Sequence, residues 1–194
     1  MSVADRSIDP RIIESAKEEF LQKGFLDASL QEICKNAGVT TGALYKRFKG
    51  KEELFCALVE STVQDLEEVV RQKSALPTTL TDEQLKKAWD MDRDYMQWWF
   101  DYLYDRYDEM RLLLVFSDGT KYANFEHEWV ENMSRTTYAY YKEAQRRGLT
   151  KTDISEKELH VMLSSFWTAI CEPLIHGFTK EEAGRISDLM CGLF

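Results

Sequence analysis

A chain of 194 residues, 44% hydrophobic and 30% charged, is too apolar for disorder and long enough for a small head and a larger body with separate cores. The formal net charge of −9 is uneven: residues 1–51 hold nine Lys/Arg against seven Asp/Glu and the remainder 16 against 27, so only the N-terminal part suits nucleic acid. Apolar runs such as Leu112 to Phe116 are too short to span a bilayer, the N-terminus lacks a signal-peptide stretch, and the four cysteines show no CxxC spacing; a cytoplasmic protein with reduced cysteines and no membrane partner is expected.

No stretch shows sustained two-residue alternation, so the chain is expected to be all-α. Asp9-Pro10 suits a helix start, Ile13, Ala16 and Phe20 follow at helical spacing, and Gly24 stops the helix. A second helix over about 30–37 turns Leu30, Ile33, Cys34 and Ala37 inward. Gly38 then supplies a left-handed residue, and Val39 plugs the angle to the next helix. That third helix, over about 40–48, sends Ala43, Leu44 and Phe48 to the core and leaves Thr40, Thr41, Gly42, Tyr45 and Lys46 outside. A fourth, over 51–74, carries Leu54, Phe55, Leu58, Thr62 and Leu66 on one side.

After an interruption containing Pro77, the next helix has an inner stripe through Leu85, Ala88/Trp89, Asp92, Tyr95/Met96, Trp98/Trp99 and Tyr102/Leu103. Helices follow around 110–116, then one carrying Tyr122, Phe125, Trp129, Met133, Thr136/Thr137 and Tyr140. Another carries Leu159, Met162, Phe166, Ile170 and Leu174, with Pro173 expected to kink or break it near Cys171. The last carries Ala183, Ile186, Leu189/Met190 and Leu193. Capping boxes are expected at Ser29–Glu32, Thr81–Gln84, Ser155–Glu158 and Thr179–Glu182.

The segment from Lys35 to Lys51 carries Lys35, Lys46, Arg47, Lys49 and Lys51 and no acid, which is the footprint of a surface that meets phosphate. A solvated face on an ordinary helical hairpin would share that charge. It would not account for an exposed Tyr45 and for Gly42 early in a helix, whose small side lets the backbone approach a major groove. Ala16, Phe20, Gly24-Phe25, Ala28-Ser29-Leu30, Ile33, Ala37-Gly38-Val39-Thr40, Gly42-Ala43-Leu44-Tyr45, Phe48 and Lys51-Glu52-Glu53-Leu54 together resemble the DNA-binding head of the TetR family of bacterial transcriptional regulators.

The resemblance implies a three-helix helix-turn-helix domain over 1–50 and a larger helical effector-binding and dimerisation body over 51–194, joined by the helix over 51–74. It implies a homodimer on a palindromic double-stranded operator, released when a small molecule enters the body. Carried over by position, Thr40, Thr41, Gly42 and Lys46 would meet bases or nearby backbone, Tyr45 a phosphate or thymine methyl, and Lys51 a phosphate. A helix N-terminus at Lys51 would also attract an anion by itself. Arg47 replaces the family's usual His or Tyr, to contact phosphate or nothing, and the arm residues Asp5, Arg6 and Asp9 do not suit a minor-groove contact.

The body holds most of the tryptophans, tyrosines and methionines, which suits an adaptable apolar cavity walled by Trp98, Trp99, Tyr102, Met133, Tyr140 and Phe166. Plain core would show the same spacing. Asp92 is the polar exception on an apolar stripe, and facing a cavity it would favour a cationic effector; an internal Lys or Arg partner is the alternative. Wide apolar faces make the last two helices the expected dimer bundle, through Phe166, Trp167, Ile170, Leu174, Ile186 and Met190. No metal ligand set, phosphate loop, dinucleotide motif or nucleophile elbow is present, so no cofactor, metal or enzymatic activity is expected. The sequence reads as a ligand-responsive repressor. An activator, a ligand-binding protein with a vestigial head, and a helical enzyme are the alternatives.

Overall fold

The computed structural model describes residues 8–74, 80–87 and 93–193, and its regular structure is entirely helical. In chain order these are α1 (Ile8–Asp27), α2 (Leu30–Asn36), α3 (Thr41–Tyr45), α4 (Lys51–Ser74), α5 (Asp82–Lys87), α6 (Arg93–Tyr104), α7 (Tyr107–Val115), α8 (Phe125–Arg146), α9 (Glu156–Ile175) and α10 (Lys180–Leu193). They fall into two packing units: residues up to Gln64 with Tyr107–Asn124, and Asp65–Arg106 with Phe125–Phe194. The head unit thus reaches past residue 50, taking in the first half of α4 and all of α7.

In the head unit, Ile12, Ala16 and Phe20 recur every fourth residue of α1 and are fully buried, whereas Ile13 lies one step off that stripe and is only half-buried. Gly24, at φ 72 and ψ 169, interrupts the helical backbone there. The chain swings Phe25 back so that Phe20, Phe25 and Phe55 meet with ring centroids 5.2–6.1 Å apart. This ring cluster explains why α4 begins as part of the head. The Phe25 N–H also donates to the Phe116 carbonyl at 3.0 Å, tying the end of α7 to the α1–α2 turn.

Local capping signals hold except where a tertiary partner intervenes. Thr81–Gln84, Ser155–Glu158 and Thr179–Glu182 form reciprocal boxes. Ser29 accepts the Glu32 N–H at 3.4 Å, but its own N–H donates to Glu19 at 3.0 Å, and Glu32 turns to Lys35. Glu19 is only 4% exposed. Burial pushes its carboxyl upward, yet the Lys23 hydrogen bond, the Ser29 N–H and the Lys23 charge outweigh it and hold the group below its ordinary value.

In the body unit, α8 packs along α9, and α6 packs against α9 and α10. The expected break near Cys171 does not occur: α9 runs through buried Pro173 to Ile175. A proline two residues from a helix end forfeits one intrahelical hydrogen bond and leaves the preceding turns intact.

Candidate nucleic-acid interface and ligand region

The helix-turn-helix is built locally. Ile33, Cys34 and Ala37 bury one side of α2, and Gly38 at φ 65 lets the Val39 N–H reach the Cys34 carbonyl at 2.9 Å. Thr40 caps α3, its hydroxyl oxygen accepting the Ala43 N–H at 3.2 Å. The helix is shorter than expected, ending at Tyr45, and Lys46 to Phe48 continue as a turn through Arg47 N–H and Phe48 N–H bonds to the Leu44 carbonyl. Leu44 is fully buried, while Ala43 and Phe48 are half-buried. Thr40, Thr41, Gly42, Tyr45 and Lys46 are all exposed, Tyr45 by 56%.

A strip free of acids in sequence is not free of them in space. Lys35 pairs with Glu32 at 3.1 Å. Arg47, expected to meet phosphate or nothing, instead binds the Asp9 carboxylate and donates to the Ala43 carbonyl at 3.1 Å. Lys51, expected to meet phosphate, turns back on its own chain: it donates to the Leu26 and Ala28 carbonyls at 2.8 and 3.0 Å and lies 4.8 Å over the Phe25 ring. Among the described residues no carboxylate pairs with Lys46 or with the Lys49 ammonium, whose backbone N–H donates to Glu53. Lys49 had no assigned role from sequence; its place just before the N-terminus of α4 was the available signal.

The geometry at Lys51 makes a prediction. Lys51→Met should destabilise the head by about 1–3 kcal/mol, because two carbonyls lose a charged donor. It should leave the salt dependence of DNA binding unchanged. A normal melting curve together with a salt slope reduced by about 0.9 per site would return Lys51 to the phosphate role.

In the body, Trp98, Trp99 and Tyr102 do come together, with ring centroids 4.8–6.0 Å apart. Trp99 and Met133 are buried, Tyr102, Tyr140 and Phe166 half-buried, and Trp98 exposed. Phe166 stacks on Tyr95 at 6.0 Å. Burial pushes the Tyr102 and Tyr140 hydroxyls upward, opposed at Tyr102 by Arg106. Asp92 lies outside the described residues.

Trp129 and Trp167, which complete this cluster around Trp99, were not among the expected walls. Trp99 meets Trp167 at 5.3 Å and Trp129 at 6.2 Å, and Trp129 meets Trp167 at 5.3 Å. Among the described residues, no acceptor meets the buried indole N–H groups of Trp129 and Trp167.

The dimer residues need correction. Trp167, Ile170 and Leu174 are fully buried within the chain, so they cannot form a surface. Leu163 and Trp167 occupy the inner stripe expected of Met162 and Phe166, a rotation of one residue. The outer apolar side chains are Val161 and Met162 on α9, 64% and 58% exposed, and Leu189 on α10, 58% exposed. Phe166 and Ile186 are half-buried, and the Met190 side chain lies outside the described residues. Among the described residues no three His, Cys, Asp or Glu gather as a metal site, and no helix is long and apolar enough to cross a membrane.

The profile of bacterial regulatory proteins of the tetR family matches residues 12–58. Over 57 residues, 29% of the chain, the protein is 46% identical to the transcriptional regulator SrpR of Pseudomonas putida, a match spanning 27% of that regulator's length. It is 24% identical over 99% of its length to the transcriptional repressor AcnR of Corynebacterium glutamicum, covering 97% of that protein. Its fold is similar to that of Bacillus subtilis FadR in complex with stearoyl-CoA, with a TM-score of 0.58, 17% identity and coverage of 95% and 96% of the two chains. The helix-turn-helix geometry and the family profile over it agree, and residues 12–58 form a DNA-binding head of the tetR family of bacterial regulatory proteins.

Proposed function

We propose that the protein is a ligand-responsive repressor that binds a palindromic operator as a homodimer in the cytoplasm and releases it when a small molecule binds the body. The observation that carries this reading is the outer side of α3, where Thr40, Thr41, Gly42, Tyr45 and Lys46 stand exposed over a buried Leu44. Two such helices in a two-fold dimer would enter successive major grooves. Val161, Met162 and Leu189 supply apolar surface for the dimer.

The effector is apolar or amphipathic. The tryptophan cluster offers apolar walls, and the indole N–H groups of Trp129 and Trp167 suit a hydrogen-bond acceptor. A cationic preference rests on Asp92 alone. FadR of Bacillus subtilis holds stearoyl-CoA, an amphipathic ligand, and AcnR of Corynebacterium glutamicum is a repressor. Because α4 runs through both units, a ligand that shifts its body half would alter the spacing of the two recognition helices.

The test is an operator selected from random duplexes, with affinity read by anisotropy and mass by sedimentation. A dimer should bind, and a molecule released from the purified protein on denaturation should weaken binding, with a coupling of about 1–3 kcal/mol that is reciprocal. A stable monomer at micromolar concentration, or an operator complex indifferent to every co-purifying molecule, would overturn the respective part.

A further inference from the structure

We infer that Arg47 is a positioning residue for DNA recognition: it clamps the C-terminal end of α3 to the first turn of α1 through Asp9, and sets the orientation of α3 without touching DNA. The inference rests on the head being the DNA-binding part of the protein.

A five-residue helix has too few internal bonds to hold its own direction, so outside contacts must fix it. Its start is fixed by the Thr40 cap and its inner side by buried Leu44. Its end is fixed by Arg47. The guanidinium donates through Nη1 to the Ala43 carbonyl at 3.1 Å and through Nε to Asp9. Ala43 lies in the last turn of α3, where carbonyls lack intrahelical partners and a cation is favoured. Asp9 lies in the first turn of α1, where a carboxylate is favoured. One planar, rigid fork thus joins two helix ends that each stabilise the charge they meet. The Arg47 side chain is only 16% exposed against 46% for Asp9, so its charge is directed into the protein.

A second feature points the same way. A carboxylate close to a recognition helix repels phosphate, so by itself it weakens DNA binding. Fixing Arg47 opposes that effect, and it makes the sign of a charge removal diagnostic.

The experiment compares the wild-type protein with Asp9→Asn, Arg47→Gln, Arg47→Lys and the Asp9→Asn/Arg47→Gln double variant. Affinity for one selected operator duplex is measured by anisotropy across a salt series, with helicity followed by circular dichroism. Asp9→Asn should weaken binding about tenfold although it removes a negative charge. Arg47→Gln should weaken it similarly, and the double variant no further, since all three break one clamp. Arg47→Lys should not rescue, because an ammonium lacks the fork. The salt slope should stay at the wild-type value, since no phosphate contact is lost.

Stronger binding by Asp9→Asn would overturn the inference, leaving Asp9 a simple repulsive charge. A slope reduced by about 0.9 per site in Arg47→Gln, with full activity in Arg47→Lys, would overturn it in favour of a phosphate contact. Lost head helicity in Asp9→Asn would also overturn it, because the clamp is assigned orientation rather than folding. If the wild-type protein binds no duplex, the DNA-binding reading itself fails, an outcome distinct from these.

Discussion

Replacing Tyr45 and Lys46 together with alanine should lower operator affinity by at least about a hundredfold, with the melting curve unchanged. Each residue in direct contact with bases or backbone is worth about 1–3 kcal/mol, and a two-fold dimer carries every change twice. Both side chains are exposed, so their loss touches no core. Among the described cations of the strip, Lys46 has no carboxylate to answer to, whereas Lys35 is paired with Glu32 at 3.1 Å. Lys35→Ala is therefore the matched control and should change affinity little. Lys46→Ala alone should also flatten the salt dependence if it meets phosphate, and relax base preference if it meets a base edge. Wild-type affinity in the double variant would remove α3 from the interface.

The recognition element was legible because its signals are local. The Gly38 turn, the Thr40 cap and the inward Leu44 need only a few neighbouring residues to act. The electrostatics of the same strip were not legible, because the partners come from far along the chain. Asp9 reaches Arg47 from 38 residues away, and Leu26 and Ala28 draw in Lys51 from more than 20. Half of the Ser29 capping box was lost for the same reason, to Glu19 ten residues upstream.

In the body the difficulty was periodicity. On α9, Met162 and Phe166 are as apolar as their neighbours Leu163 and Trp167, so a helix apolar on a wide face does not announce which stripe is buried. The structure selects the stripe with Trp167 because Trp99 and Trp129 meet it there. The membership of α7 in the head was likewise invisible, being set by contacts such as the Phe25 N–H to the Phe116 carbonyl.

Phe55→Ala should melt the head ahead of the body. Phe55 is fully buried and is the α4 member of the ring cluster, 5.2 Å from Phe20 and 5.6 Å from Phe25. Truncating a buried phenylalanine costs about 3–5 kcal/mol, a large share of the roughly 5–15 kcal/mol that holds an ordinary domain. The two units carry different reporters. Trp98, Trp99, Trp129 and Trp167 fall in the body unit, and the segments of the head unit contain no tryptophan. Circular dichroism therefore follows helices of both units, while tryptophan fluorescence follows the body alone. In the variant, helicity should fall in two steps, the first without a change in fluorescence and coincident with loss of operator binding. The second step should coincide with the fluorescence transition and stay near its wild-type temperature. Coincident transitions by both probes would mean that the chain unfolds as one cooperative body. An unshifted first step would mean that Phe55 is not the keystone of the head core that its burial indicates.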